Sequence, residues 1–309
     1  MTDRPAPARG FGAGLAFAIA AYGLWGFLPL YFLLLSPIGP WEIVALRILL
    51  ALGFCAILLT VTRTWRPFLA LARQRRVLGI MSIAGVLIYI NWQTYILAIL
   101  TGHVVEGALG YFINPVVTVL LGVFVLRERL RPAQWVAIGI SAVAILVIAI
   151  GYGSFPWIAL TLAFSFGFYG YIKKRVGPQV DAVSGLTLET AVLTPVAIVI
   201  LVVVAMTSGL VTGTTGVPQL LVALVAGAVT ATPLLLFAAA ARRIPLVYLG
   251  LTQYLAPVIQ FLIGVVVLHE DMPLERWIGF VLVWVALIVL TVDMLATGRA
   301  SRRASPELV

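Results

Sequence analysis

The sequence contains few of the charged residues that soluble proteins carry at their surfaces. Only 10% of its 309 residues are charged, whereas 62% are hydrophobic. A typical soluble domain is about a quarter charged and about half apolar. A globular core of this size cannot enclose so much apolar surface, but a lipid bilayer solvates it, at about 20 apolar residues per spanning helix. The composition therefore indicates an integral membrane protein.

Cysteine and histidine are almost absent. The single cysteine, Cys55, lies inside an apolar run, so an intramolecular disulfide is excluded. The two histidines, His103 and His269, belong to no HExxH sequence, and no G-x-S-x-G sequence or P-loop occurs. The sequence therefore indicates no zinc site, no activated serine and no ATP site. We predict a protein that is not an enzyme and holds no metal or organic cofactor.

Alternating apolar and polar segments, which form transmembrane barrels, are also missing. The apolar runs are continuous and predict an all-α membrane protein with ten transmembrane helices. The first run follows Arg4 and Arg9 as in a signal peptide, but it continues to about Leu35 and is interpreted as an uncleaved span. The predicted spans cover residues 11–34, 41–61, 77–99, 103–126, 133–151, 155–172, 184–206, 217–240, 246–268 and 274–296.

The formal net charge is +9, and the basic residues lie between the predicted spans. If the N-terminus is cytoplasmic, all of the 20 Lys and Arg residues except Arg47 and Arg276 lie in cytoplasmic segments. This distribution follows the positive-inside rule. It predicts cytoplasmic tails at residues 1–10 and 297–309, and it explains the net charge without a nucleic-acid partner. We expect the membrane to be the bacterial plasma (inner) membrane.

One stretch of the sequence occurs twice. ALGYFINPVVTVLLGVFVLRERL, residues 108–130, aligns without a gap to GLTQYLAPVIQFLIGVVVLHEDM, residues 250–272, at an offset of 142. Pro115 matches Pro257 in this alignment. A proline within a helix removes one backbone hydrogen bond and kinks the helix or frees a carbonyl. We therefore expect equivalent breaks near the middle of the membrane in the two copies.

The offset places the fourth and fifth predicted spans onto the ninth and tenth. Because five is odd, the second half must cross the membrane in the opposite sense. This predicts two inverted five-helix repeats, residues 11–151 and 152–296. Inverted repeats are typical of secondary transporters, whose two halves rock about a site near the bilayer midplane. A duplication without a symmetric function is the alternative.

One face of the fourth span is polar or small throughout. Such a face is costly in lipid, so it must contact protein or water. It either lines a cavity or joins helices by close packing and hydrogen bonds. Its residues, spaced by three or four, are His103, Glu106, Gly107, Gly110, Tyr111, Asn114 and Thr118.

Two charged residues occupy equivalent repeat positions within spans, Arg47 and Glu189. Arg47 lies about six residues from the outer end of its span, and Glu189 lies about six residues from the inner end of its own. Their depths in the membrane therefore differ by about 12 Å, and we predict that they do not pair. The acidic residue nearest in depth to Arg47 is Glu106, which is its candidate partner. The candidate partners of Glu189 are the basic residues Arg242 and Arg243. The alternatives are that both side chains snorkel to the headgroups or that Arg47 binds carbonyl groups at a helix end. Glu106 and Glu189 are the candidates for proton coupling.

Several of these motifs resemble those of one family. ALGYFINP followed by LRERL, INWQTYILAI, FSFGFYG and TQYLAP are similar to the RarD-type branch of the EamA transporters, within the drug/metabolite transporter superfamily. The similarity runs from about Gly14 to Asp293. It implies ten helices in two inverted halves, with a central cavity lined mainly by the first, third, fourth, sixth, eighth and ninth spans. The residues that it places at this cavity are Trp25, Asn91, Trp92, Tyr111, Asn114, Tyr169, Gln253 and Tyr254.

The sequence and the resemblance together predict a secondary transporter, an exporter, that moves a small organic solute by alternating access. The branch is often labelled a chloramphenicol-sensitivity permease, a label that does not fix the substrate. The expected partners are a small molecule and the bilayer. The alternative is a membrane receptor or assembly subunit without transport activity, and transport by the purified protein in liposomes distinguishes the two.

Overall fold

The computed structural model describes residues 11–126, 132–151, 155–176, 179–214, 216–241, 243 and 252–303. Every regular element in these ranges is helical, which confirms the all-α prediction. A π-helical turn, Ile263–Val267, follows the twelfth helix. The helices are α1 Phe11–Gly26, α2 Leu28–Leu34, α3 Pro40–Val61, α4 Trp65–Ala72, α5 Arg75–Leu100, α6 Val104–Leu126, α7 Pro132–Gly151, α8 Trp157–Val176, α9 Ala182–Thr207, α10 Val217–Leu224, α11 Ala226–Ala241, α12 Leu255–Leu262 and α13 Leu274–Arg303.

Several described helices are long and apolar enough to cross a membrane. Five segments meet this condition, and α1 with α2, joined at a 41° bend, would form a sixth span. Large apolar side chains such as Val199 and Met206 are exposed on the outside of the protein, where lipid would solvate them. The protein is therefore a multi-pass membrane protein, and the count of ten spans stays a prediction. The five segments are Pro40–Val61, Arg75–Leu100, Ala182–Thr207, Val217–Phe237 and Leu274–Asp293.

The link between the third and fourth predicted spans is as short as expected. Only Thr101, Gly102 and His103 separate α5 from α6. Gly102 has φ of 73°, a left-handed conformation that a residue without Cβ adopts at little cost. The tight hairpin predicted here is therefore confirmed. The link after α3 differs from expectation, because it contains the short helix α4 with Phe68 buried.

The predicted proline breaks are not equivalent in the two copies. Helix α6 runs through Pro115 without interruption. Pro257 is the third residue of α12, which starts after a break at Gln253 and Tyr254. In the first turn of a helix the missing N–H needs no partner. Pro257 therefore begins a helix instead of kinking one, and residues 246–251 of the predicted ninth span lie outside the described residues.

Long-range packing joins the two halves of the chain around α3, α5, α8 and α9. Helix α9 packs on α3 and α5, and α11 packs on α3. Helix α8 packs on α5 and α6, α1 packs on α11 and α12, and α7 packs on α13. Two of these contacts need a glycine, because a Cβ on Gly85 would lie 3.3 Å from the Glu189 carbonyl oxygen and one on Gly227 would meet the Leu50 carbonyl. The buried centre of the molecule lies among these helices.

Candidate functional site

A buried arginine lies at the contact of α3, α5 and α11. Arg47 is 4% exposed. Its Nε donates to Thr230 Oγ1 at 2.8 Å, and its guanidinium carbon lies 4.3 Å from the centre of the Trp92 ring. Its Nη1 is buried without a hydrogen-bond partner. No carboxylate of the described residues pairs with this cation, so its charge is held in place but is not neutralised.

Three tyrosines lie close enough to Arg47 to interact with it electrostatically. The Tyr111 hydroxyl donates to Asn91 Oδ1 at 3.0 Å, and that of Tyr31 to the Val222 carbonyl at 2.9 Å. The Tyr95 hydroxyl is buried and has no partner. Two unpartnered polar groups, a guanidinium nitrogen and a phenol, therefore lie in one buried region.

A buried glutamate on α9 forms the second charged centre. Glu189 is fully buried. Its Oε1 lies 2.8 Å from Lys173 Nζ, and its Oε2 accepts from the Tyr169 hydroxyl at 3.2 Å. The Lys173 side chain is 30% exposed. Unlike Arg47, this charge is paired with an opposite charge that reaches solvent or lipid headgroups.

A row of aromatic rings connects the two charged centres. The ring of Phe32, over which the Arg47 guanidinium lies, is 6.3 Å from that of Tyr95. Tyr95 is 5.5 Å from Tyr111, and the row then continues through Phe166 to Tyr169, at 5.9 and 6.0 Å between centroids. We call Phe32, Tyr95, Tyr111, Phe166 and Tyr169 the aromatic row. It runs through the interior from the unpaired guanidinium to the paired carboxylate.

The two candidate asparagines bind neighbouring helices. Asn91 Nδ2 donates to the Leu162 carbonyl at 3.2 Å and lies 3.1 Å from Ser165 Oγ. Asn114 Nδ2 donates to the Ala163 carbonyl at 3.1 Å. Both amides thus hold α5 and α6 against α8. Of the two roles that the sequence left open for this polar face, these contacts favour hydrogen bonding between helices.

The remaining candidates contact residues that do not belong to the aromatic row. Trp25 packs against Tyr22 and Phe237, with ring centroids 5.2 and 6.0 Å away. Gln253 hydrogen-bonds to Tyr254 at the break before α12. Tyr254 lines a groove of about 270 Å³ on the side of α6 that faces α13. The other residues of this groove are Phe112, Trp284, Leu287, Ile288, Thr291 and Val292. The structure therefore connects Asn91, Trp92, Tyr111 and Tyr169 through Arg47 and the aromatic row, whereas the ring contacts and hydrogen bonds named above for Trp25, Gln253 and Tyr254 are with other residues.

The predictions about charge pairing have mixed outcomes. Arg47 and Glu189 do not pair, as the depth argument predicted. The pair of Arg47 with Glu106 is wrong, since the Glu106 carboxylate accepts from the backbone of Ile158 and Ala159 at the start of α8. The free N–H groups of a helix start attract an acidic side chain in this way.

The partner of Glu189 also differs from the prediction. Arg243 instead donates to the Ala239 carbonyl, and Arg242 lies outside the described residues. Sequence reasoning missed Lys173, which counted only as a flanking cytoplasmic base. Its position at the end of α8, where its long side chain can extend to α9, is a signal that could have identified it.

Two further carboxylates accept from backbone groups of distant segments. Glu42 accepts from the N–H of Val211 and Thr212 at 3.1 and 2.8 Å. Glu270 accepts from the N–H of Val104 and Val105, at the start of α6, at 2.6 and 3.0 Å. Burial raises the pKa of Glu270, and the two N–H donors oppose that shift. These contacts fix the connecting segments to the ends of helices.

Comparisons with known proteins agree with this architecture. Two segments, residues 12–150 and 155–292, match the model of the EamA-like transporter family. The chain is 48% identical to Protein RarD of Streptomyces exfoliatus over 94% of this chain and 91% of that protein. It is 40% identical to the uncharacterized transporter YojE of Bacillus subtilis and 37% to Protein RarD of Escherichia coli, each over 94% of this chain and 97% of the relative.

A solved crystal structure aligns with 96% of this chain and 99% of its own chain. The TM-score is 0.58 at 19% sequence identity, so this likeness shows a shared fold. The relatives above come from bacteria, and YojE is named a transporter. Because the family model covers nearly the whole chain in two copies, the protein belongs to the EamA-like transporter family.

Proposed function

We propose that the protein is a secondary active transporter that exports a small organic solute from the bacterial cytoplasm by alternating access between two inverted five-helix halves. The observation that carries this proposal is the buried axis formed by the aromatic row and its two charged ends, inside a chain whose family is named for transport. Buried ionisable residues within a membrane protein, here Arg47 and Glu189 at the two ends of the row, are typical of a solute or ion pathway.

Equivalent helix contacts support the inverted repeat. With the offset of 142, α3 corresponds to α9, α5 to α11, α1 to α8 and α6 to α12. The contact of α5 with α9 then corresponds to that of α11 with α3, and the contact of α6 with α8 to that of α12 with α1. Gly85 and Gly227, which permit the first two contacts, are themselves 142 apart. Such pairing is expected when two halves share one structure and are related by a two-fold axis, and the odd number of predicted spans in each half makes their orientations opposite.

We further propose that a proton is the coupling ion and that Glu189 carries it. Glu189 is buried and its two partners, Lys173 and Tyr169, both interact with the ionised carboxylate. Protonation would remove the ion pair and free Lys173 to move. The other candidate, Glu106, is engaged by the start of α8. The chain contains no P-loop, so uphill export has to use an ion gradient.

The proposal is tested with the purified protein in liposomes. We expect counterflow of at least one solute from a panel of amino acids, sugars and chloramphenicol. Glu189→Gln should retain counterflow and lose its response to an imposed proton gradient, whereas Asp271→Asn, an exposed acidic control, should behave as wild type. Counterflow no greater than in empty liposomes for every solute would contradict a transporter and favour a receptor or assembly subunit.

A further inference from the structure

We propose that Arg47 binds an oxyanion group of the transported solute, a carboxylate or a phosphate, while the apolar body of that solute lies against the aromatic row. This inference rests on the proposed transport function and specifies its substrate class. It starts from Arg47, a buried cation with an unpartnered guanidinium nitrogen and no ion pair with a carboxylate of the described residues.

The guanidinium is fixed in a position suited to a ligand. Thr230 holds Nε and the Trp92 ring covers one face, which leaves Nη1 buried and unpartnered. An unsatisfied buried charged group is costly, and a side chain that only needed water would extend toward a membrane surface. The contacts with Thr230 and Trp92 instead keep Arg47 in the interior. A preorganised guanidinium matches the paired oxygens of a carboxylate or phosphate.

A second unpartnered group in the same region has compatible chemistry. Tyr95 is 3% exposed, its hydroxyl has no hydrogen-bond partner, and it interacts electrostatically with Arg47. A phenol donates readily to an anionic oxygen. One oxyanion could therefore accept hydrogen bonds from both Arg47 Nη1 and the Tyr95 hydroxyl. A neutral solute of the same shape would be a weaker acceptor for these two donors.

Three buried or half-buried carboxylates of the described residues are already engaged with other groups. Glu189 binds Lys173 and Tyr169, Glu42 binds two backbone N–H groups, and Glu106 binds the start of α8. Among the described residues, none of these three carboxylates is left to pair with Arg47, so a bound solute would supply its counter-charge. The rings of Phe32, Tyr95 and Tyr111 beside it provide an apolar surface for the rest of the solute.

Binding of labelled benzoate to the purified full-length protein tests this inference, with phenyl phosphate and benzamide as competitors. Benzamide has the shape of benzoate without the charge, and phenyl phosphate distinguishes the two oxyanions. We expect saturable benzoate binding that an oxyanion displaces at a concentration at least about ten-fold lower than benzamide does. Equal competition by benzamide, or no saturable binding, would overturn the proposal.

Variants assign the binding to the site. Arg47→Met should weaken benzoate binding about ten-fold or more, while Arg66→Gln, which removes an exposed positive charge, should not change it. Tyr95→Phe loses no hydrogen bond within the protein, so it should fold normally and weaken binding a few-fold. Unchanged binding in both site variants would refute the assignment even if Arg47→Met alone proved unstable.

Transport measurements separate this inference from the proposed function. If counterflow occurs only with neutral or cationic solutes and is unchanged in Arg47→Met, the protein is a transporter and the oxyanion site is wrong. If no solute is exchanged but benzoate binds through Arg47, the site is correct and the transport proposal fails. Failure of the oxyanion site and failure of the transport function therefore give different experimental results.

Discussion

At the scale of single residues, the two buried charges at equivalent repeat positions are stabilised in different ways. Glu189 has an ion pair with Lys173 and a hydrogen bond from Tyr169. Arg47 has a hydrogen bond to Thr230 and an aromatic ring against its face, and no counter-charge among the described residues. The first arrangement is complete without a ligand. The second is not, and on this asymmetry rest our proposals of proton chemistry at one end of the aromatic row and solute binding at the other.

The ion pair of Glu189 predicts a specific pattern of stability. Lys173→Met should lower the thermal unfolding midpoint in detergent, because it leaves a buried carboxylate unpaired. Removing one partner of a fully buried pair costs about 3–5 kcal/mol. The effect here should be smaller, since the Lys173 side chain is 30% exposed. The double variant Lys173→Met with Glu189→Gln should regain most of the lost unfolding midpoint, since it no longer contains an unpaired carboxylate at position 189.

Arg66→Gln is the control for that measurement, because it removes an exposed positive charge and should leave the midpoint unchanged. An equal midpoint for Lys173→Met and wild type would show that the pair contributes nothing to stability. A double variant less stable than Lys173→Met would show that the carboxylate has another essential contact.

The sequence allowed part of this site to be predicted. The repeat offset identified positions 47 and 189 as equivalent, and their depths in the spans excluded a pair. Their partners could not be predicted, because they depend on the rotation of each helix about its axis and on the reach of long side chains. Lys173 is 16 residues from Glu189, across the connection between α8 and α9, and Thr230 is 183 residues from Arg47.

At the scale of helices, close contacts depend on residues without a side chain. Gly110 on α6 faces α8, and a Cβ there would lie 2.7 Å from the Ala159 carbonyl oxygen and 2.9 Å from Leu162 Cβ. These atoms cannot move without shifting the α8 backbone. Small residues at such positions are what allow membrane helices to approach each other.

Gly110→Ala should therefore destabilise the protein by about 1–3 kcal/mol, the usual range for overpacking. Gly139→Ala on α7 is the matched control, since no atom lies within 4 Å of its Cβ position, and it should be neutral or slightly stabilising. Thermal unfolding of both variants in one detergent provides the comparison. If Gly110→Ala unfolds at the same temperature as Gly139→Ala, the contact of α6 with α8 is looser than described.

The helices themselves were largely predictable and their interruptions were not. Long apolar runs predicted α3, α5, α6 and α9 to within a few residues. The breaks at Phe27 and at Gln253–Tyr254 fall within continuous apolar sequence, so hydropathy contains no signal for them. Pro29 and Pro257, each in the first turn of the helix after its break, are the local signal, because proline is tolerated at helix starts. The sequence interpretation took Pro257 for a kink.

At the scale of the whole molecule, the repeat combines equivalent helix contacts with different local chemistry. Helix α6 is continuous, whereas the equivalent segment of the second repeat is interrupted just before α12. Tyr111 joins the aromatic row, while Tyr254, which lies near the corresponding part of the second repeat, lines a separate groove. A transporter can keep symmetric halves for movement and bind an asymmetric solute on one of them, and this difference places the proposed solute site mainly on the first repeat.

The inverted orientation of the two repeats predicts on which side each connection lies. Helices α3 and α9 are equivalent, so the segments that follow them must be on opposite sides of the membrane. In a Cys55→Ala background, which has no other cysteine, Thr214→Cys should react with a membrane-impermeant maleimide added outside intact spheroplasts. Thr64→Cys should react only after the membrane is made permeable, because the basic residues around it predict a cytoplasmic position. Both side chains are exposed in the structure, so accessibility of the protein surface does not limit either reaction. Labelling of both cysteines from the same side would mean that the repeats are parallel, and the alternating-access proposal would lose its structural basis.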